Sequence, residues 1–375
     1  MQIIPVASGK GGVGKSLLSA NLAVALGKAG KSVVLADLDL GASNLHLAIG
    51  QSSPKLGIGT FITGETKFED IIQPTDYQNV QFIAGDSEIP GLSSLKFAQK
   101  NALIKKFQAV NADYLILDLG AGTHLTILDL FLLSPQGIIV TAPMPTATIN
   151  GYLFLKNAVF RLMAATFKKG TKASDYLNRL KNDSASLQRL YIPKLIETIA
   201  EIDSENAERF KARLKKFRPR LIMNMIEEPK DADKAQKIRR SCQQYLGLEV
   251  ESLGVMYRDS MQDKALSSRL PVSVYKPGSV LSQAIFRIAE KILQSETIAF
   301  SDGGADSFDI ATEEANEDFT AKMSFVEDLV GAGALSVTEL GELVKQQQYE
   351  LTQLKKENTL LKSKIVKAAQ AGYKF

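Results

Sequence analysis

The fold of this chain is decided by a stretch near its N-terminus, Ser8-Gly9-Lys10-Gly11-Gly12-Val13-Gly14-Lys15-Ser16. An apolar run, 3–7, precedes this stretch, and a run of helix-forming residues, 17–28, follows it. A glycine-rich loop therefore connects a strand to a helix, which is the context that the pattern GxxxxGK[ST] requires. Because glycine lacks a Cβ, backbone N–H groups can close around phosphate oxygens, and the helix N-terminus adds partial positive charge. The stretch predicts a phosphate-binding loop.

The two polar residues at the end of the loop have separate expected tasks. Lys15 is expected to contact the β- and γ-phosphates of a nucleotide, and the Ser16 hydroxyl is expected on Mg²⁺. A glycine-rich turn without a ligand is the alternative, but the complete pattern rarely occurs by chance between a strand and a helix.

A second lysine, Lys10, lies five residues before Lys15. In this the loop resembles the deviant Walker A motif, KGGxGK[ST], of the MinD/ParA family of ATPases. The resemblance implies that ATP lies between two subunits of a homodimer and that Lys10 reaches the nucleotide of the other subunit. A surface lysine without this task is the alternative. The implied nucleotide contacts are Gly9, Lys10, Gly11, Gly12, Val13, Gly14, Lys15, Ser16 and Leu17.

Two acidic segments agree with this resemblance. The strand 32–36 leads into Asp37-Leu38-Asp39, which is similar to the family's switch I, and the strand 114–117 ends in Asp118, as in Walker B, before a switch II-like turn, 119–122. By match, Asp37 and Asp118 belong to the Mg²⁺ site with Ser16, and Asp39 orients the attacking water. Phosphoryl transfer needs an oriented nucleophile and compensated charge. By the same match, Lys10, Lys15 and Asp39 are the catalytic residues.

The resemblance also implies a site for the adenine base. Asn224, in the run Arg220-Leu221-Ile222-Met223-Asn224-Met225, matches the family's adenine-binding asparagine, and Asp259 lies near the same pocket by analogy. A turn residue at the end of a strand is the alternative for Asn224.

Residues 1–295 alternate strand-like and helix-like patterns. The continuous apolar runs 137–142, 221–225 and 253–256 suit parallel strands that are covered on both faces. The fold class predicted is therefore α/β, with a doubly wound, mostly parallel sheet. Within the family, the segment 141–146 is similar to the TxPEPT segment of the FlhG/MinD-like branch, with Met144 in place of glutamate.

Composition excludes several classes of protein. The single cysteine, Cys242, cannot form a disulfide framework, and it cannot supply the cysteine pairs of iron–sulfur scaffold ATPases or of the nitrogenase iron protein. The sequence contains no apolar run long enough to cross a membrane, and Met1 lies too close to the first strand for a signal peptide. We expect a cytoplasmic protein, either free or peripheral at a membrane, pole or nucleoid.

Charge is distributed unevenly, although the net charge is only +4. Residues 161–220 read as a helical insertion rich in Lys and Arg, which could contact DNA phosphates or anionic lipid. A solvated helix with its own acidic residues is the alternative. The most basic positions are Arg209, Lys211, Arg213, Lys215, Lys216, Arg218 and Arg220.

The C-terminal region divides into two further segments. Residues 296–335 are acidic and poor in large apolar residues, which predicts a flexible linker. Residues 336–375 carry a heptad pattern with Val344, Leu351, Asn358 and Ile365 at a, which predicts a coiled-coil helix that binds a second copy or another protein. A lone amphipathic helix is the alternative.

Together these features predict an ATPase that acts as a dimerisation switch, with slow, partner-stimulated hydrolysis. Its expected role is to control the position or number of a cellular structure, of the flagellar or cell-division type. Two other functions remain open. One is a ParA-type DNA segregation ATPase, and the other is an adaptor that acts through its coiled coil and is only stabilised by nucleotide.

Overall fold

The computed structural model describes residues 1–39, 43–52, 55–85, 97–182, 191–295 and 304–331. The chain divides into two compact units, Met1–Phe319 and Thr320–Phe375. Of the second unit, the described residues are the end of a helix. The predicted coiled coil, 336–375, lies outside the described residues and stays a prediction.

A twisted sheet of eight strands is the centre of the first unit in the described parts of the chain. In chain order, β1 to β8 are Gln2–Ser8, Val33–Leu38, Ile72–Pro74, Val80–Ile83, Tyr114–Ala121, Ile138–Thr141, Arg220–Ile226 and Glu251–Tyr257. Their order in space is β3-β4-β2-β5-β1-β6-β7-β8, and every pairing is parallel except that of β3 with β4. The predicted doubly wound, mostly parallel sheet is confirmed.

Helices lie on both faces of this sheet. In chain order, α1 to α14 are Lys15–Lys28, Leu45–Ala48, Ile58–Thr63, Phe97–Gln108, Leu125–Phe131, Pro145–Thr166, Lys172–Asn182, Ile192–Ile202, Ser204–Lys216, Asp233–Ser241, Met261–Ser267, Val272–Tyr275, Val280–Gln294 and Gly304–Gly331. Short 3₁₀ turns span Glu69–Ile71 and Pro229–Ala232, and a π turn spans Cys242–Leu246. Within the described residues, no helix combines the length and apolarity needed to cross a bilayer.

Alternating side chains of the central strands enter two separate cores. In β5, Leu115 and Leu117 pack with the core under α4, α5 and α6, whereas Tyr114 and Ile116 pack with the core under α1 and α13. This alternation follows from the two-residue period of a strand. Since both faces are covered, the central strands consist of apolar residues almost throughout, which is why they could be recognised in the sequence.

The predicted basic insertion is helical, but its charges are less exposed than the sequence suggests. At its first end, Arg161 Nε lies 2.5 Å from Asp129 Oδ1. At its last end, Arg220 is 5% exposed, and its Nε lies 3.7 Å from Glu251 Oε2. These two arginines therefore belong to ion pairs inside the fold and not to a surface patch.

Part of the remaining charge of the insertion is paired within α9. Arg209 lies 2.6 Å from Glu205, and Lys211 lies 2.8 Å from Glu208. Exposed pairs of this kind contribute little to stability, but they reduce the local excess of positive charge.

The predicted flexible linker is wrong over residues 304–319, because this segment is helical and belongs to the first unit. Phe308, Ala311 and Ala315 recur at helical spacing and are buried. The Tyr257 hydroxyl donates a hydrogen bond to the Ala315 carbonyl at 2.7 Å. In addition, the backbone N–H of Ser252, on the edge strand β8, donates to Ser307 Oγ at 3.0 Å. The helix α14 thus covers the edge of the sheet.

The acidic residues of α14 are part of the reason that it packs here. Glu314 lies 2.7 Å from Lys291, and Asp318 lies 2.5 Å from Arg287. The two basic residues belong to α13. The sequence shows a run of negative charge, but the fold places part of that charge beside cations 23 and 31 residues away.

We expect Phe308→Ala to release α14 from the sheet edge. Truncating a buried Phe typically costs about 3–5 kcal/mol, and Phe308 is only 2% exposed. Hydrogen exchange should show lost amide protection over residues 304–319 while β1 and β5 stay protected. The control is Ile310→Ala on the same helix, where the side chain is 47% exposed. Equal protection in the two variants would contradict the docking of α14.

Candidate functional site

Three neighbouring strands end at the same edge of the sheet. In the register of β2 with β5, Asp37 is opposite Asp118, and in that of β1 with β5, Val6 is opposite Asp118. The predicted phosphate-binding loop leaves β1 directly after this point. The sheet therefore brings together the loop and the two carboxylates that the sequence assigns to one site, at the edge where α/β sheets bind ligands.

The loop is held tightly on one side and is open on the other. A Cβ at Gly9 would lie 2.0 Å from the carbonyl oxygen of Asn150 on α6, so only glycine fits there. At Gly11 and Gly12, by contrast, a Cβ would meet no atom within 4 Å. Ser8 Oγ donates to the Lys10 carbonyl at 2.7 Å and braces the start of the loop. The space beside Gly11 and Gly12 leaves their backbone N–H groups accessible to an anion such as phosphate.

The two lysines of the loop have different surroundings. Lys15, at the start of α1, is 7% exposed, and its charge acts on Asp118. Lys10 is exposed, and its Nζ donates to Thr146 Oγ1 at 3.2 Å in the first turn of α6. One lysine thus points into the site, and the other lies on the surface beside it.

Asp118 is completely buried at the end of β5. Its Oδ1 accepts a hydrogen bond from Ser19 Oγ at 3.1 Å, whereas its Oδ2 has no hydrogen-bond partner within the described residues. Burial raises the pKa of Asp118, and the charge of Lys15 together with the hydroxyls of Ser16 and Ser19 lowers it in part. A buried carboxylate oxygen without a donor is costly, and a bound cation would remove that cost.

Asp37, the neighbour of Asp118, is also buried. Burial, and then the charge of Asp118, raise its pKa to about 7. Three donors fix the Asp37 carboxylate: Ser43 Oγ at 2.6 Å, the Leu45 N–H at 3.1 Å and the Asp39 N–H at 3.1 Å. The side chain is therefore rigid, and its orientation is set by the backbone that follows β2.

Asp39 lies where the two predicted switch segments meet. A Cβ at Gly120, in the predicted switch II, would lie 3.3 Å from Asp39 Oδ1. The adjoining residues of switch I, 40–42, lie outside the described residues. The assignment of Asp39 to the attacking water stays a prediction.

The donor set fits Mg²⁺. Ser16, Asp37 and Asp118 offer only hard oxygen atoms, and Mg²⁺ is usually held by one or two carboxylates while phosphates and water complete its shell. Nowhere in the part of the chain that the structure describes, this site included, are three His, Cys, Asp or Glu side chains grouped as metal ligands would be. The protein itself would therefore supply two carboxylates and one hydroxyl.

The two residues assigned to the base make contacts that the sequence did not indicate. Asn224 is 3% exposed, and its Nδ2 donates to the Val13 carbonyl of the loop at 2.9 Å. Asp259 Oδ1 accepts from the Met261 N–H at 2.9 Å at the start of α11. Their contacts with adenine stay predictions.

Other residues of the site were missed from the sequence. Ser19 follows Ser16 by one helical turn, so its position facing Asp118 could have been inferred. Thr146 lies in the segment 141–146 that resembles the FlhG/MinD-like branch, but nothing in the sequence indicated its contact with Lys10, 136 residues earlier. The contact of Asn150 with Gly9 gave no local signal either.

Comparison with known sequences agrees with this geometry. Residues 4–272 match the family described as CobQ/CobB/MinD/ParA nucleotide binding domain. The flagellum site-determining protein YlxH of Helicobacter pylori is 34% identical over 205 residues, which are 51% of this chain and 68% of that protein. The antiactivator FleN of Pseudomonas aeruginosa is 31% identical over 160 residues, or 42% of this chain and 56% of its own length. The chain thus spans little more than half of FleN.

Solved structures show the same fold. The cell division ATPase MinD of Pyrococcus furiosus superposes with a TM-score of 0.54 at 22% identity, over 78% of this chain and 99% of that chain. The septum site-determining protein MinD of Pyrococcus horikoshii gives a TM-score of 0.55 at 22% identity, over 80% and 99%. With the family match extending from β1 to α12, and with the loop and its two carboxylates at one sheet edge, this chain belongs to the CobQ/CobB/MinD/ParA family of nucleotide-binding proteins.

Proposed function

We propose that this protein is a Mg²⁺-dependent ATPase whose ATP-bound form is a homodimer. Slow, partner-stimulated hydrolysis of ATP would end the ATP-bound state of the dimer. The cycle of binding and hydrolysis would control the position or number of a cellular structure of the flagellar or cell-division type. The observation that carries this proposal is the open glycine loop with one buried and one exposed lysine. In this proposal the buried Lys15 binds the nucleotide of its own chain, and the exposed Lys10 reaches the nucleotide of the other subunit.

Each side chain of the site has a task in this proposal. The loop N–H groups and Lys15 bind the β- and γ-phosphates, and Ser16, Asp37 and Asp118 hold Mg²⁺. The metal supplies charge compensation for the transferred phosphoryl group. Asp39 orients the water that attacks it. The buried Asp118 Oδ2, which has no donor among the described residues, supports the metal assignment.

The relatives support the spatial part of the proposal. YlxH is named a flagellum site-determining protein, and the Pyrococcus horikoshii MinD, a septum site-determining protein, was solved with Mg-ADP. Another structure with the same fold, from Aquifex aeolicus, is a MinC:MinD cell division complex, with a TM-score of 0.52 at 18% identity. These names support a switch that binds a protein partner, for which residues 336–375 are our candidate surface.

DNA segregation through the basic insertion is the weaker alternative. Arg161 and Arg220 are engaged in ion pairs inside the fold. The last turn of α9 lies beside the far end of α6, where Arg213 donates to the Ala165 carbonyl. At 1.5 Å per residue, that end is about 30 Å from the first turn of α6, which touches the loop. Docking on DNA or on anionic lipid through this surface would therefore depend on nucleotide only indirectly.

We expect Lys15→Ala and Lys10→Ala to have different effects. Lys15→Ala removes a charge-assisted contact to phosphate and should weaken ATP binding about ten- to a hundredfold. Lys10→Ala should bind ATP nearly as wild type does but should not dimerise. Calorimetry and light scattering measure the two properties, and Lys216→Ala, a remote exposed lysine, is the control. An equal loss of ATP affinity in both variants would contradict the dimer.

We expect Asp118→Asn to stabilise the protein without nucleotide and to abolish the effect of Mg²⁺. Because burial raises the pKa of Asp118, folding disfavours the ionised carboxylate, and the neutral amide should raise the melting temperature by a few degrees. The added stability that Mg²⁺ gives to the ATP complex should disappear.

The matched control is Asp113→Asn, directly before the buried run of β5. Asp113 accepts hydrogen bonds from Ser32 N and Oγ, and these hold its pKa below the usual value. This substitution should therefore not raise the melting temperature. A destabilised Asp118→Asn protein that still responds to Mg²⁺ would remove Asp118 from the metal site.

We expect Asp39→Ala to separate binding from hydrolysis. Without the group that orients water, turnover should fall on the order of 10²-fold or more, while Mg²⁺-ATP still binds and the dimer persists in size-exclusion chromatography. Wild-type turnover in this variant would sink the assignment. No turnover in the wild-type protein, even with a partner, would favour the adaptor function.

A further inference from the structure

We infer that Asn224 positions the phosphate-binding loop: it orients the Val13–Gly14 peptide so that the Gly14 N–H faces the phosphate. This rests on the proposed binding of nucleotide at the loop. It gives Asn224 a task directed at the phosphates and not, as the sequence suggested, at the adenine base.

The end of β7 is built to turn Asn224 out of the sheet. The pairing of β7 with β8 changes register between Met223 and Ile226. Met225 has a φ of +59°, which is uncommon for a residue with a side chain. The Met225 N–H donates to Asn224 Oδ1 at 2.8 Å. Such strain persists where the surroundings hold it, and it is frequent at functional sites.

The orientation of the Asn224 amide is fixed by its two partners. Oδ1 accepts from a backbone N–H, which can only donate, and Nδ2 donates to the Val13 carbonyl, which can only accept. Exchanging Oδ1 and Nδ2 would place two donors together at the Met225 N–H and two acceptors together at the Val13 carbonyl. Both Asn224 and Val13 are buried, so water does not compete for these hydrogen bonds.

Holding the Val13 carbonyl also determines the direction of the next N–H. A trans peptide is planar, and its C=O and N–H groups point in opposite directions. With the Val13 carbonyl directed at Asn224, the Gly14 N–H is directed to the opposite side of the peptide, away from Asn224. An N–H fixed in this direction is available to a phosphate oxygen without reorganisation.

The close approach of Asn224 also explains why residue 14 is glycine. Gly14 has a φ of +89°, and a Cβ there would lie 2.2 Å from Asn224 Nδ2. A side chain at position 14 would have to displace the very group that holds the Val13 carbonyl. The glycine of the motif and the asparagine 210 positions later are therefore parts of one arrangement.

Little of the Asn224 amide is left for the base. Oδ1 already accepts one hydrogen bond, and Nδ2 already donates one. One Oδ1 lone pair and one Nδ2 hydrogen are left, in a side chain that is 3% exposed. The two roles of Asn224 therefore predict different effects of a substitution. If Asn224 binds the base, its loss should weaken recognition of the base; if it positions the loop, its loss should weaken binding of the phosphates.

Binding of inorganic tripolyphosphate, which has no base, separates the two roles. Tripolyphosphate, ATP and GTP would be titrated against the full-length wild-type protein and against Asn224→Asp, in which a carboxylate oxygen faces the Val13 carbonyl. Asn224→Ala and Asn224→Ser provide milder variants if the first does not fold. The expected result is a loss of about three- to tenfold or more for all three ligands, in similar proportion.

The control is Asn206→Ala in α9. Asn206 is also buried, and its Nδ2 donates to Asp203 Oδ2 at 2.8 Å, far from the loop in the fold. This variant should lower the melting temperature without changing the affinity for tripolyphosphate. A loss of affinity in the Asn224 variants alone would then report loop geometry and not general stability.

Two other results would overturn the inference. If tripolyphosphate binds the Asn224 variants as it binds wild type while ATP loses its advantage over GTP, Asn224 acts on the base. If the wild-type protein binds none of the three ligands, the proposed nucleotide site fails, and the role of Asn224 fails with it.

Discussion

The burial of two neighbouring carboxylates, Asp37 and Asp118, is the constraint on which the rest of the site depends. Parallel pairing of β2 with β5 puts them opposite each other at the strand ends, where burial and like charge raise the pKa of Asp37 to about 7. Hydrogen bonds hold both side chains: two backbone N–H groups and the Ser43 hydroxyl donate to Asp37, and the Ser19 hydroxyl donates to Asp118. Two buried carboxylates side by side destabilise the fold, and a bound cation would offset that cost. Proteins retain such local instability where function requires it.

The phosphate-binding loop is shaped by parts of the fold far from it in sequence. Gly9 lies against the backbone of Asn150, Lys10 contacts Thr146, and Val13 is bound by Asn224. Two of these partners belong to α6, the helix that continues toward the insertion, and the third ends β7. The conformation of the loop is therefore tied to the second half of the domain, and changes in α6 or β7 can reach the nucleotide site through packed contacts and hydrogen bonds.

The acidic helix α14 shows how composition can mislead. By charge alone the segment resembles a chain that cannot bury enough apolar surface to fold. Its apolar residues, however, recur at helical spacing, and Glu314 and Asp318 meet Lys291 and Arg287. The helix covers β8, whose unpaired backbone groups would otherwise offer an edge to other chains. Basic residues that are distant in sequence neutralise these acidic side chains, so the composition of the segment alone could not show that it would fold.

The sequence by itself determined the features whose cause is local. The glycine loop, Lys15 and the continuous apolar strands lie in short contiguous segments, so spacing and periodicity identified them. Asp37 and Asp118 lie in short segments that resemble those of the MinD/ParA family. The short strands β3 and β4 at the sheet edge lacked such a signal and were missed. Only the tertiary structure decided that Asn224 binds the loop across 211 residues, that Arg220 is buried in an ion pair, and that residues 304–319 form a packed helix. The physical reason is that hydrogen bonds and ion pairs depend on proximity in space, and no local pattern records which distant residue the fold will bring near.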